Sequence, residues 1–308
     1  MRVLVTGTGG QLALSLAEIA GQQGADVAAA GRPGLDVTRQ ASIAENIKRI
    51  RPAIVVNAAA FTDVDAAERD PALAHAVNAE GAGNVASACA RAGVPMVHIS
   101  TDYVFDGSKP DPYVEEDLPA PVNAYGRSKL EGETRVAATC SRHLILRTAW
   151  LYSSFGRNFA RTMLRLAGER DAIHVVADQV GTPTYAPHLA QAVLAAASQI
   201  LRNRDEPLWG TYHAAGAGAT SWCGLAEELL ACSAAGGGPS ASVHPIDTAG
   251  YPTPARRPAN SRLDCSKLER TFGITLPRWE TGARACMARL VGRNDHTEPA
   301  FRAGERAP

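Results

Sequence analysis

The chain has 308 residues, 45% of them hydrophobic, enough for a substantial core organised as one large domain with a smaller lobe. Lys plus Arg and Asp plus Glu number 31 each, so the formal charge is zero; the field that gathers phosphate backbones or anionic lipid is missing, and no nucleic acid or membrane partner is expected. Six cysteines, Cys89, Cys140, Cys223, Cys232, Cys265 and Cys286, are scattered without a C-x-x-C pair. This indicates neither a zinc site nor a redox dithiol and fits buried thiols in a reducing cytoplasm.

The opening Met1–Gly10 reads as a strand and a turn, far short of a signal sequence or a span of about 20 apolar residues. From there short β-branched runs alternate with longer Ala-rich amphipathic runs: Arg2–Thr6 then Gln11–Gln23; Asp26–Ala30 then Thr38–Arg49; Ala53–Asn57 then Asp70–Arg91; Pro95–Ser100 then Ala124–Thr139; and His143–Arg147. This βαβ series predicts an α/β fold, a Rossmann-type doubly wound parallel sheet whose ligands lie at the carboxyl ends of the strands. Beyond Arg147 the rhythm loosens into a helix near Asn158–Gly168, a strand Ile173–Ala177, a helix near Pro187–Leu201 and a Gly-rich loop at Ala234–Pro239. The expected division is a nucleotide-binding domain over 1–150 with returning elements near 173–203, a substrate-binding lobe over 151–172 and 204–291, and a flexible polar tail over 292–308.

Gly7-Thr8-Gly9-Gly10-Gln11-Leu12-Ala13 follows a strand and opens a helix, the context in which a Gly-rich match signifies dinucleotide binding. Gly7 permits the tight turn, Gly10 lets the backbone approach a pyrophosphate at the positive helix end, and Ala13 allows close packing on the sheet. At the end of the second strand an Asp or Glu would hold the ribose hydroxyls of NAD. Here Ala30-Gly31-Arg32 offers no carboxylate before Asp36, and Arg32 is free to pair with a 2′-phosphate, so NADPH is the expected cofactor, with NADH also admissible. Asp36 suits the adenine edge or the start of the next helix.

The third strand ends in Asn57-Ala58-Ala59-Ala60, small enough for a cofactor to lie against the sheet edge, and the fourth delivers Ser100-Thr101-Asp102-Tyr103-Val104-Phe105. Tyr125 and Lys129, four apart, share one face of a helix. The Lys129 ammonium is expected to lower the Tyr125 phenol, so that it can release a proton near neutrality, while Thr101 aims a hydroxyl at the same carbonyl oxygen. Trp150, just past a strand's carboxyl end, is placed to stack on a sugar or base. Arg257, between prolines, is a candidate clamp for a diphosphate. His98 reads as a satisfied core histidine.

The order nucleotide turn, N-A-A-A, S-T-D and Y-x-x-x-K resembles the extended short-chain dehydrogenase/reductase superfamily over nearly the whole chain. The runs Val56–Ala60 with Thr62–Asp65, Ser100–Phe105, Arg147–Tyr152, Asn158-Phe159, Asp178–Thr184 and Tyr251–Leu263 resemble the dTDP-4-dehydrorhamnose reductase family. That resemblance implies NADPH-dependent reduction of the C4 ketone of a dTDP-4-keto-6-deoxy sugar. By motif position it implies Thr101, Tyr125 and Lys129 as catalytic. Cofactor contacts are implied at Gly10, Gln11, Leu12, Asp36, Val37, Ala60, Phe61 and Thr62. The nucleotide sugar falls to Thr101, Asp102 and Trp150, with Asn158 and Arg257 also assigned to the substrate.

Some members of that family dimerise through magnesium held by carboxylates, one of them on the first helix. Here that stretch reads Leu12–Ala17, and Ser15 cannot replace a carboxylate for a hard cation, which puts the magnesium and that dimer in doubt and leaves the oligomeric state open. Two alternatives stand beside the main reading: a reductase of another dTDP-4-keto sugar, such as the dihydrostreptose-forming enzyme, and a non-catalytic NADP-binding regulatory subunit. The intact Thr101, Tyr125, Lys129 set speaks against the second.

Overall fold

The structure, a computed structural model, describes residues 1–202 and 208–292. Its first half runs β1 (Arg2–Thr6), α1 (Gln11–Ile19), β2 (Asp26–Ala30), α2 (Gln40–Ile50), β3 (Ile54–Asn57), α3 (Val64–Arg69), α4 (Pro71–His75), α5 (Gly81–Ala92), β4 (Met96–Thr101), α6 (Ala124–Thr139) and β5 (His143–Thr148). The second half runs β6 (Leu151–Tyr152), α7 (Phe159–Glu169), β7 (Ala172–Val176), β8 (Val180–Gly181), β9 (Thr184–Tyr185), α8 (Ala186–Arg202), β10 (Gly210–His213), β11 (Thr220–Ser221), α9 (Trp222–Ala235), β12 (Ser242–Ile246), β13 (Asn260–Ser261), α10 (Ser266–Phe272) and α11 (Trp279–Val291).

Six strands form one parallel sheet in the order β2-β1-β3-β4-β5-β10. The alternating side chains of β1 explain why it is covered on both sides. Val3 and Val5 pack with α1, α8 and α10, whereas Leu4 packs with α2, α5 and α6. After β1 the chain winds outward to β2 and then returns to β3 on the other side, so a crevice opens between the carboxyl ends of β1 and β3, the switch point where such sheets bind ligands.

Two expectations are corrected. The strand expected at Ile173–Ala177 does not return to the central sheet: β7 pairs with β12 in a separate two-stranded sheet, and β10 supplies the sixth central strand. The helix expected over Asp70–Arg91 passes through a π turn at Ala76–Glu80, an irregularity that periodicity does not reveal and that brings Asn78 against the chain after β3. Short α3, capped by Asp63 on the Ala66 amide, precedes it. Of the expected polar tail only Gly292 lies within the described residues.

The second lobe is built on small sheets, β6 with β9, β7 with β12, and β8 between β11 and β13. An aromatic core of Trp150, Tyr152, Tyr185 and Trp279 against α9 and α11 holds them together. All six cysteines are unpaired, four of them buried. No helix among the described residues is long and apolar enough to cross a membrane.

Candidate active site

The crevice is built from backbone first. Gly7 has φ +95°, a conformation a side chain would strain, and its amide donates to Ala30 O at 2.7 Å. Beneath it, Thr6 donates to Asn57 Oδ1 at 2.6 Å and accepts from the Ala59 amide at 3.2 Å, tying β1 to β3. Helix α1 starts without a side-chain cap, and a Cβ at Gly9 or Gly10 would meet no atom within 4 Å. Free amides and the positive helix end thus face open space, an arrangement that fits a pyrophosphate. Leu12 and Ala13 are buried against the sheet. The Gln11 side chain is spoken for, donating to Leu151 O at 3.2 Å and accepting from Ser153 Oγ at 2.9 Å, so it fastens the second lobe over the turn and leaves contacts to its backbone.

At the end of β2, Arg32 is exposed and makes no hydrogen bond or ion pair to any described residue. Asp36 Oδ1 accepts from the Thr38 amide at 2.9 Å and hydroxyl at 2.8 Å, bonds that hold its carboxyl below the usual range. These bonds shape the turn leading to α2. Val37 belongs to the core, and its carbonyl accepts from Asn84 at 3.1 Å. Ala60 and Phe61 are half-buried and Thr62 is exposed. Asn78, which sequence reasoning missed, clamps Phe61 from both sides, accepting from its amide at 2.8 Å and donating to its carbonyl at 3.0 Å; it also donates to Ser128 Oγ at 2.9 Å. Ser128 in turn donates to Tyr125 O at 2.7 Å, so one side chain couples the loop after β3 to α6.

Several contacts seat α6 and hence Tyr125 and Lys129. Asn123 caps it, accepting from the Gly126 amide at 2.8 Å, and donates to Arg256 O at 2.8 Å; Glu68 accepts from the Ala124 amide at 2.6 Å. A Cβ at Gly126 would overlap the Tyr103 carbonyl oxygen, and one at Gly132 the Asn78 carbonyl oxygen, so the helix lies directly on both backbones. At the carboxyl end of β4, Thr101 donates to Asp102 Oδ1 at 3.1 Å and accepts from the Tyr103 amide at 3.2 Å, and its side chain lies beside the Tyr125 phenol. The Tyr103 ring packs edge-on to Tyr125 at 5.5 Å.

The electrostatics correct one expectation. Burial raises the Tyr125 phenol above its ordinary value, with the nearby Thr101 hydroxyl opposing the effect and Asp102 and Tyr103 adding to it. The Lys129 ammonium does not lower the phenol, because Nζ is turned to Ile99 O at 2.6 Å and lies 3.5 Å from His98 Nε2. Burial pushes Lys129 down to about 8, with Glu133 opposing. His98 is satisfied, as expected of a core histidine, its Nδ1 lying 3.0 Å from Asn57 Nδ2.

Of the other candidates, Trp150 adopts φ +46°, rare for a large side chain, and is 8% exposed. Trp222 covers it face to face at 3.6 Å, and the ring also lies hard against Gly181, so Trp150 offers an edge and not the stacking face expected of it. Asn158 caps α7, accepting from the Arg161 amide at 3.2 Å, and donates to Ser153 O and Phe155 O at 2.8 and 2.9 Å. Three bonds thus tie its side chain to its own loop. Arg257 does reach the cluster. It pairs with Asp65 at 2.9 Å, and its charge counters the burial that raises the Tyr103 phenol.

A switch-point crevice with an uncapped helix end, beside a Thr–Tyr–Lys cluster at the same sheet edge, defines a Rossmann-type NAD(P)-dependent oxidoreductase of the extended short-chain kind. The family model described as "RmlD substrate binding domain" matches residues 1–291, and the chain belongs to the dTDP-4-dehydrorhamnose reductase family. It is 48% identical over 291 residues to the dTDP-4-dehydrorhamnose reductase of Sinorhizobium fredii, covering 94% of this chain and 98% of the relative. With that of Streptomyces griseus the identity is 38% over 299 residues, covering 97% of each. Among solved structures, the dTDP-4-dehydrorhamnose reductase of Bacillus anthracis in complex with NADP superposes with a TM-score of 0.86 at 36% identity, over 94% of this chain and 99% of that one.

Proposed function

We propose that this chain reduces the C4 ketone of dTDP-4-dehydrorhamnose to give dTDP-L-rhamnose, with NADPH as reductant, in the cytoplasm. The observation that carries the reading is the Thr101–Tyr125–Lys129 cluster at the sheet edge beside an open, positively polarised helix end, within a chain of this family. The chemistry a reduced nicotinamide supplies when bound is a hydride to C4. Tyr125, kept protonated by burial, donates its proton to the carbonyl oxygen as charge builds there, and Thr101 supports that oxygen with a hydrogen bond. Lys129 holds the nicotinamide ribose, and the amides of Gly10, Gln11 and Leu12 hold the pyrophosphate. We assign the substrate-binding lobe to 151–185 together with 214–291, and β10 to the nucleotide-binding domain whose sheet it completes. Incubation with dTDP-4-keto-6-deoxyglucose, with and without a 3,5-epimerase, tests the reading: NADPH loss only with the epimerase, and rhamnose as the product sugar, are expected. Consumption without the epimerase would point to a reductase of another dTDP-4-keto sugar.

Arg32, unpaired at the end of β2, sets the cofactor preference. NADPH is expected to exceed NADH by roughly 10- to 100-fold in kcat/KM, the range of one charge-assisted contact. Arg32→Ala then removes most of that preference while sparing NADH; equal loss with both cofactors would make Arg32 structural.

Arg257 binds the substrate diphosphate, exchanging or sharing its Asp65 partner. Arg257→Ala is expected to raise KM for the nucleotide sugar several-fold without changing NADPH affinity. A loss confined to cofactor binding would place this loop elsewhere.

A further inference from the structure

The small sheet of the second lobe carries two side chains that the reductase chemistry does not use. Strands β7 and β12 run parallel with His174 directly opposite His244, neighbours at the strand spacing of about 4.8 Å. Alternation along the strands turns Ile173 and Val175 inward, where with Val243 they pack against α7 and α9, and turns both histidines outward. Both are exposed, and neither makes a hydrogen bond or ion pair to any described residue. The pair before them on the same face, Ala172 and Ser242, is also exposed and is small, which leaves room beside the rings.

We propose that His174 and His244 together chelate one borderline-soft divalent cation, zinc or its neighbours nickel and copper(II), and that the bound ion clamps β7 to β12. The inference is independent of the reductase reading, since no part of it passes through the crevice.

The spacing of the rings suits such an ion. Zinc binds an imidazole nitrogen at about 2.0–2.1 Å, which puts it about 3.2 Å from the ring centroid; two rings meeting it at the tetrahedral angle then have centroids about 5.2 Å apart. The observed centroids are 5.5 Å apart, with the ring planes 31° from parallel. Exposed rings without partners absorb so small a difference by turning about their side-chain bonds. Imidazole is a favoured ligand for these ions, whereas magnesium and calcium seek oxygen. No third His, Cys, Asp or Glu completes a three-ligand group among the described residues, so water fills the remaining positions and the ion is exchangeable. A clamp matters here because a two-stranded sheet is marginal by itself and parallel pairing is the weaker kind. Helices α7 and α9 hold its inner face, and the ion ties the outer one.

The test is a calorimetric titration of the full chain with zinc chloride, with magnesium chloride as the control. Zinc is expected to fill a site of one ion per chain, and magnesium to give no binding heat. In His174→Gln and in His244→Gln the zinc affinity falls about tenfold or more, since the loss of even an outer-shell partner costs a metal site about 10- to 100-fold. The double variant binds no more weakly than either single one, because one imidazole alone does not chelate. Both positions are exposed, so glutamine leaves the fold intact, which circular dichroism verifies. Hydrogen exchange read by mass spectrometry then locates the ion. With zinc at ten times its dissociation constant, the amides of β7 and β12 exchange about tenfold more slowly, because the ion must leave before the strands part, and neither variant shows the slowing. Two ions per chain, one lost in each variant, would reveal independent surface histidines. Undiminished binding in the double variant would put the ion elsewhere, equal binding of magnesium would make it a general charge effect, and unchanged exchange in both strands would show that it does not bridge them. Each of these four results overturns the proposal.

Discussion

Tyr125→Phe lowers kcat by roughly 10²–10⁴-fold, the range that general acid catalysis contributes. The variant loses only the phenolic oxygen. The edge-on packing with Tyr103 at 5.5 Å and the helix contacts at Gly126 and Ser128 involve the ring and backbone, which remain. NADPH affinity, read by fluorescence titration, therefore stays within about twofold, since no bond to Lys129 is lost. Stability changes little as well, because the Thr101 hydroxyl keeps Asp102 as a partner. Near-normal single-turnover rates would refute the assignment of the proton donor.

Glu133→Ala costs about 3–5 kcal/mol of stability, the usual penalty for removing one partner of a buried ion pair. Arg147 and Glu133 are each 5% exposed, and the guanidinium donates from Nε to Oε1 at 3.0 Å and from Nη2 to Oε2 at 2.7 Å. Arg147 Nη1 is already buried without a partner, so the Ala variant would strand an entire guanidinium in the core between α6 and β5. Chemical denaturation measures the loss. Replacing both partners, Glu133→Leu with Arg147→Met, is expected to recover much of it, because no charge remains to be solvated. A second effect reads the neighbourhood of Lys129. Glu133 opposes the fall in the Lys129 value, so its removal lowers Lys129 below about 8 and weakens cofactor binding at alkaline pH first.

Legibility followed interaction range. Elements of the first half were readable because their signals are local: β-branched runs for β1 and β3, the glycine turn before α1, and the four-residue spacing of Tyr125 and Lys129. The π turn at Ala76–Glu80 was not, because it answers to Asn78 reaching back 17 residues to Phe61. Nor was the destination of β7. Its composition suits any sheet, and pairing with β12 depends on the fold of the second lobe.

For the site, sequence by itself determined the family, the chemistry-bearing residue types and their order, since these sit in contiguous motifs. Only the tertiary structure decided what each side chain does with its polar atoms. Hydrogen-bond capacity is finite and is spent on whatever neighbour the fold supplies, which is why Gln11 and Asn158 turned out to fasten loops, Trp150 lost its face to Trp222, and Lys129 turned from the phenol to the β4 backbone. Burial is equally a property of the whole, and it is burial that keeps Tyr125 protonated and makes Asp102 titrate near neutrality.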